Sequence, residues 1–302
     1  MSFANWMRLI LLSVLWGGSF FCVEVALADL PALTIVWCRV GLAALVLAIV
    51  LRVSGQKLPS GPDIWPALAL MGLLNNVIPF SLFVLAQGQI TGSLAAIVNA
   101  TTPLWTILLA HVATRDERLT TPRVIGVALG FAGVVVLMAG TQARADIWAI
   151  AACGVAAMSY ACAGVWGRRF ARMGVPPLAT AFGQVAASTM MLLPVWVWVD
   201  RPWTLPMPGV SAIGAICGIA LLSTALAYVI YFRLLASAGA TNLLLVTFLI
   251  PVSATLLGVV VLGDPVRLGQ LAGFGLIVCG LVAIDGRLGR RLRWWRRAAG
   301  QP

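Results

Sequence analysis

The sequence predicts an all-α membrane protein: ten transmembrane helices as two inverted five-helix repeats around a central cavity. Three observations predict it. Of the 302 residues, 61% are hydrophobic and 10% charged, with a mean hydropathy of +1.01. A soluble domain carries about 25% charged residues, so this chain has too few polar groups to cover a globular surface. Apolar stretches long enough to cross a bilayer as helix recur along it, and the short alternating segments of barrel strands do not. Landmarks of the first half also return, in order, in the second.

The predicted spans are 6–28, 32–51, 65–87, 92–111, 123–140, 147–167, 178–199, 210–232, 241–262 and 268–285. The first could mimic a signal peptide, with one Arg, an apolar core and Ala26-Leu27-Ala28. The repeat needs it as a span. The second and first carry the two charges clearly inside spans, Arg39 and Glu24. At 1.5 Å per residue they lie at similar depth in one hairpin, which predicts an ion pair or a gate. The third holds NNVIPF (75–80), two amides and a proline in an apolar run. The fourth centres on Pro103 and ends at His111, the single histidine, read as interfacial. The fifth is patterned by glycines, the sixth has Tyr160 near its middle, the ninth centres on Pro251 and the tenth repeats the glycine pattern. Trp6, Trp65, Trp148 and Trp203 sit at span ends, as interface tryptophans do. The six cysteines fall inside spans and form no CxxC or Cys/His cluster, so neither disulfides nor a metal site is expected.

Basic residues set the orientation. With the N-terminus inside, the cytoplasmic segments hold Arg8, Arg52, Lys57, Arg115, Arg118, Arg123, Arg168, Arg169, Arg172, Arg233 and the arginines of the tail. The opposite side holds Arg144, Arg201 and Arg267. That asymmetry places both termini in the cytoplasm of a bacterial-type inner membrane. The net charge of +11 is thus mostly topology, and no nucleic-acid partner is expected. The tail RLGRRLRWWRR can touch anionic lipid.

Pro103 of TTPLWTILL aligns with Pro251 of LIPVSATLL. At that offset Asn76 meets Thr224, Phe80 meets Tyr228 and Phe83 meets Tyr231. After one dropped residue Glu117 meets Asp264, Gly126 meets Gly273 and Gly133 meets Gly280. Five spans per half is odd, so the second half enters the membrane from the opposite side. That is the inverted repeat of many secondary transporters. The units are 1–141, 142–286 and a basic tail, 287–302.

LWGGSFF (15–21), NATTPLWTILLAHVATRDERLT (99–120) with GVALGFAGVVV (126–136), and IPVSATLLGVVVLGDPVRLGQLAGFGLIVCG (250–280) carry a family resemblance. The chain resembles the EamA family of the drug/metabolite transporter superfamily, and within it amino-acid exporters of the YddG type. The resemblance implies ten helices in two inverted repeats, with helices one, three, four, six, eight and nine around a cavity. The second acidic hairpin has Asp264-Pro265 where the first has Glu117-Arg118, so the two ends are expected to gate differently.

Amides in hydrocarbon are costly unless they face protein or water. Asn76, Phe80, Phe83 and Gln87 share one helix face. Thr224, Tyr228 and Tyr231 match it in the second repeat. The predicted substrate-binding residues are Trp16, Ser19, Asn75, Asn76, Phe80, Phe83, Asn99, Trp105, Tyr160, Thr224, Tyr228 and Tyr231. The predicted hinge or gating residues are Pro79, Pro103, Pro251, Glu24 and Arg39. Interhelical packing is the competing reading of each amide, Ser and Thr. A proline frees a carbonyl one turn earlier, which can bind substrate or let the helix flex.

These residues form a neutral amide-and-aromatic site. It predicts a secondary exporter of small amphipathic metabolites, amino acids including aromatic ones, working by alternating access as a monomer in the lipid bilayer without cofactor. The alternative is a multidrug exporter of cations that depends on Glu24. An intramembrane enzyme is disfavoured, because Ser19 and Ser223 lie mid-span while His111 lies near one end. No ATP-binding loop motif is present.

Overall fold

The computed structural model describes residues 1–57, 60–90, 92–113, 121–138, 146–257 and 268–285. Both acidic hairpins and the basic tail lie outside them. All regular structure among the described residues is helical. Among the described residues, six helices are long and apolar enough to cross a membrane, by length and composition.

The elements are α1 (Phe3–Leu27), α2 (Ala32–Val53), α3 (Ile64–Gly72), α4 (Ile78–Gln87), α5 (Gly92–Asn99), α6 (Thr102–Ala113), α7 (Thr121–Met138), α8 (Ile147–Arg172), α9 (Pro177–Val199), α10 (Val210–Ala220), α11 (Ala227–Leu244), α12 (Val246–Leu257) and α13 (Leu268–Asp285). Two wide π-turns join α3 to α4 (Leu73–Val77) and α10 to α11 (Leu221–Leu226). Call the end of the bundle with Asn5 and Ser237 the first end; their side chains bond at 3.1 Å. The second end has Asp29 and Gly209, joined at 2.8 Å.

Local chemistry sets the helix ends. Ser2 caps α1 by accepting from Asn5 N–H, and Asp146 caps α8 by accepting from Ala149 N–H. The sequence ends the sixth span at residue 167. The helix runs on to Arg172, because Arg169 stacks its guanidinium 3.4 Å from the Trp166 ring centroid and basic residues suit a helix C-terminus. The eighth span likewise runs past 232, until Gly239 breaks α11 with φ +80, a left-handed backbone open to glycine.

The fourth span is not continuous. It parts at Ala100-Thr101, between α5 and α6. Pro103 has no N–H for the Asn99 carbonyl one turn back. The Thr102 hydroxyl donates to that carbonyl instead, at 2.6 Å. The carbonyl expected to be free for substrate therefore has a partner inside the protein.

The π-turns also have causes. Pro79 cannot donate to the Asn75 carbonyl, and the Tyr228 hydroxyl donates to it at 3.1 Å. In the other π-turn, the Thr224 hydroxyl inserts into the ladder and donates to the Ile219 carbonyl at 2.9 Å.

Two contacts show how helices of the bundle are tied to one another. Helices α7 and α13 cross on glycine. A Cβ on Gly280 would lie 2.5 Å from the Gly126 carbonyl oxygen, and one on Gly133 would lie 2.8 Å from that of Gly273. Backbones this close are how helices pack where lipid offers no hydrophobic drive. At the second end, Asp200 accepts from Thr34 N–H at 2.6 Å and from its hydroxyl at 2.7 Å. Trp196 donates to the same hydroxyl at 2.9 Å and stacks on Trp37 with centroids 3.8 Å apart. This clasp caps α2, which has no side-chain cap of its own. Asp200→Ala is expected to cost about 1 kcal/mol, as lost N-caps do, and to lower the melting temperature of the purified protein. An unchanged melting temperature would show that the clasp holds nothing.

Candidate functional site

A cavity of ≈ 60 Å³ lies among the helices, lined by Trp16, Ser19, Phe20 and Val23 of α1, Arg39 of α2, Asn75 of the first π-turn, Phe80, Phe83, Val84 and Gln87 of α4, Asn99 of α5, Tyr160 of α8, Tyr228 and Tyr231 of α11, and Thr247 and Ile250 of α12. It has room for a few waters, not for a metabolite. Its walls are aromatic. Tyr160 stacks on Phe83 at 6.0 Å, Phe20 meets Phe83 edge-on at 6.1 Å, and Trp16 lies 5.9 Å from Tyr231. Trp16 is held by its own N–H, which donates to the Ser223 carbonyl at 3.0 Å, while the Ser223 hydroxyl donates to the Leu15 carbonyl.

Most of the sequence-predicted binding residues meet here: Trp16, Ser19, Asn75, Phe80, Phe83, Asn99, Tyr160, Tyr228 and Tyr231. Three do not. Asn76 is fully buried behind the wall, where its amide donates to the Ser188 hydroxyl at 2.8 Å and accepts from Tyr228. The reason is the π-turn. The wider i→i+5 turn brings Asn75, not Asn76, onto the face of Phe80. Thr224 is also fully buried and holds Arg39 from behind, accepting from its Nε–H at 2.8 Å. Trp105 is 39% exposed and faces away from the cavity, because the break before Thr102 resets the register of α6. Trp105→Ala is accordingly expected to leave transport unchanged at equal abundance, whereas Phe83→Ala reduces it. Equal loss in both variants would contradict this placement.

The expected Glu24–Arg39 pair is absent. Arg39 is 6% exposed, bonded to Thr224, with its guanidinium 3.6 Å from the Phe80 ring centroid. Glu24 is exposed on α1, beside Gly92. Among the described residues neither takes part in an ion pair. At its position on α2, Arg39 points inward between α4 and the second π-turn, while Glu24 leaves α1 on another face. The cavity is thus not neutral: it holds a cation, with no acidic side chain among its lining residues.

The sequence reading left Phe20, Val23, Val84, Gln87, Thr247 and Ile250 out of the site. Phe20 and Gln87 had a signal, in LWGGSFF and on the Phe80–Phe83 face. Gln184 and Ser188 of α9, which hold Asn75 and Asn76, had none. Of the prolines, Pro79 is buried in the first turn of α4 and Pro251 inside α12, one residue from Ile250 of the cavity wall.

A second, wider space of ≈ 670 Å³ lies at the first end. Arg168, Phe170, Arg172, Thr180, Phe232, Ser237, Gly239 and Asn242 are among its lining residues. An aromatic wall parts it from the cavity. Phe170 meets Phe232 at 6.5 Å and 90°, and Phe232 meets Tyr231 at 5.0 Å and 82°.

The chain matches the model of the EamA-like transporter family twice, over residues 5–139 and 146–284. It is 26% identical over 276 residues to the uncharacterized inner membrane transporter YedA of Escherichia coli K12, covering 90% of this chain and 88% of that one. It is 27% identical over 278 residues to protein PecM of Dickeya dadantii, covering 89% and 88%. A solved crystal structure, 20% identical, superposes with a TM-score of 0.78 over 97% of this chain and 99% of that one.

Proposed function

This chain belongs to the EamA-like transporter family and is a membrane transporter, and from that premise we propose that it exports small amphipathic metabolites, amino acids including aromatic ones, by alternating access. The observation that carries the reading is the composition of the cavity wall. It draws α1, α2, α4 and α5 from the first matched half and α8, α11 and α12 from the second. A site between two halves can open to either side as they rock.

Several features support the inverted repeat of ten helices. The π-turns fall at Leu73–Val77 and Leu221–Leu226, the offset at which Pro103 meets Pro251. Each is held by a polar residue of the other half: Gln184 and Ser188 of α9 hold the first, and Arg39 of α2 holds the second. The glycine crossing of α7 on α13 also joins the halves. The two units are 1–141 and 142–286, with both termini in the cytoplasm of an inner membrane, and the transporter works as a monomer. A cavity of ≈ 60 Å³ must widen to admit a substrate, and the π-turns beside it are where a helix yields most readily.

Arg39 in the wall speaks against the cationic-drug alternative, and Glu24 lies outside the cavity. The test is uptake into proteoliposomes of labelled phenylalanine, threonine and a quaternary ammonium, with and without a pH gradient. Amino-acid flux indifferent to the gradient is expected. Cation flux driven by the gradient would sink this reading.

A further inference from the structure

We propose that Arg39 is the anchor for a substrate carboxylate, and that the cavity therefore selects monocarboxylates with an aromatic or branched apolar body, the α-ammonium being dispensable. The proposal deepens the transporter reading above and rests on it.

The argument begins with donors and acceptors. A guanidinium carries five N–H donors. Arg39 uses its Nε–H, toward Thr224, and among the described residues its two terminal nitrogens donate to nothing. The side chain is 6% exposed and lines the cavity. A buried cation without a counter-charge is costly, and a membrane interior supplies none. A second group points the same way. The Tyr231 hydroxyl, also on the cavity wall, is buried without a hydrogen-bond partner. The acceptors on the wall, Gln87 Oε1 and Asn75 Oδ1 among them, are all neutral. No acidic side chain lines the cavity among the described residues.

Such a set matches a carboxylate. The planar fork of an arginine bonds both carboxylate oxygens at once. Thr224 and Phe80 orient the fork from behind and from its face, so little is lost in ordering it. A monoanion makes the occupied cavity neutral. A zwitterion leaves it with a net positive charge and finds for its ammonium only neutral oxygens and aromatic faces, with no carboxylate among the lining residues. An amine without a carboxylate brings a second positive charge beside the first. Around this anchor, Trp16, Phe83 and Tyr160 give the apolar body its surface.

Three probes share one phenyl body and differ in charge: 3-phenylpropionate, phenylalanine and phenethylamine. Their binding to the purified full chain in lipid nanodiscs, followed by calorimetry, tests the proposal. We expect 3-phenylpropionate to bind at least as tightly as phenylalanine, and phenethylamine not to bind. Arg39→Gln should weaken 3-phenylpropionate about ten- to a hundredfold, the range of a charged hydrogen bond. Because Arg39 also ties α2 to the second π-turn, that variant needs its fold checked by thermal unfolding. Tyr231→Phe removes an oxygen that no protein group uses, so it should fold as the parent does and still bind more weakly. Binding of phenethylamine as tight as that of 3-phenylpropionate, binding of none of the three, or unchanged affinity in both variants overturns the proposal. The two readings fail separately. Phenylalanine bound at Arg39 but not moved across vesicles sinks the transport of amino acids and leaves the anchor. Phenylalanine moved equally by Arg39→Gln sinks the anchor and leaves transport.

Discussion

Gly280→Leu is expected to abolish the folded protein. The first carbon of the new side chain would sit 2.5 Å from the Gly126 carbonyl oxygen and 2.7 Å from the Gly130 nitrogen, both backbone atoms. Neither can swing aside as a side-chain end would, so α13 must leave α7. Overpacking a tight core costs about 1–3 kcal/mol where neighbours can shift, and here they are main chain. Gly275, on the same helix, has open space where a Cβ would go. Gly275→Leu is therefore the control, expected to yield normal amounts of monodisperse protein in detergent. If both variants accumulate and chromatograph alike, the crossing is not what joins the helices.

Tyr228→Phe carries the second large effect. It strips the donor from two buried acceptors, the Asn75 carbonyl and the Asn76 side-chain oxygen. A buried acceptor left unsatisfied costs about 1–3 kcal/mol. Asn76→Leu added to it removes one of the two orphaned groups, so the double variant should recover part of the loss. Its remaining partner, the Ser188 hydroxyl, keeps a bond to the Gln184 carbonyl at 2.7 Å. Thermal unfolding of the four proteins of this cycle measures the coupling. Strict additivity would mean that Tyr228 and Asn76 do not depend on one another in the folded state. The same geometry sets the expected effect of Asn76→Ala: the loss should appear first as lower abundance, because the amide ties the first π-turn to α9 and α11 and does not line the cavity.

Much of this was legible in the sequence, for identifiable reasons. Apolar runs and Gly, Pro and aromatic landmarks mark the helices and their recurrence, because those signals are local. The aromatic wall was legible as well, since Phe80 and Phe83 lie one turn apart. What the sequence hid was the state of each turn. A π-turn differs from an α-turn by one residue, and that residue exchanged Asn75 for Asn76. Thr101 and Thr102 beside Pro103 spelled a break in the fourth span, yet hydropathy reads through it. Arg39 was misplaced for another reason. Depth along a helix can be counted, but the direction of a side chain around the axis depends on neighbours distant in sequence. Thr224, which holds it, is 185 positions away.

The wall of Phe170, Phe232 and Tyr231 has an electrical consequence. The ≈ 670 Å³ space at the first end, with Arg168 and Arg172 on its lining, reaches inward to Phe170 and Phe232. The phenyl rings of Phe170 and Phe232 offer nothing from which a file of waters could be built, so they oppose proton leak. A charge carried across the whole membrane gains or loses about 2.3 kcal/mol per 100 mV. On the proposal above, a carboxylate moving between that space and Arg39 must pass Phe232 and Tyr231, which stand between the two. The flux of an anionic substrate is then sensitive to voltage, where a zwitterion's is not.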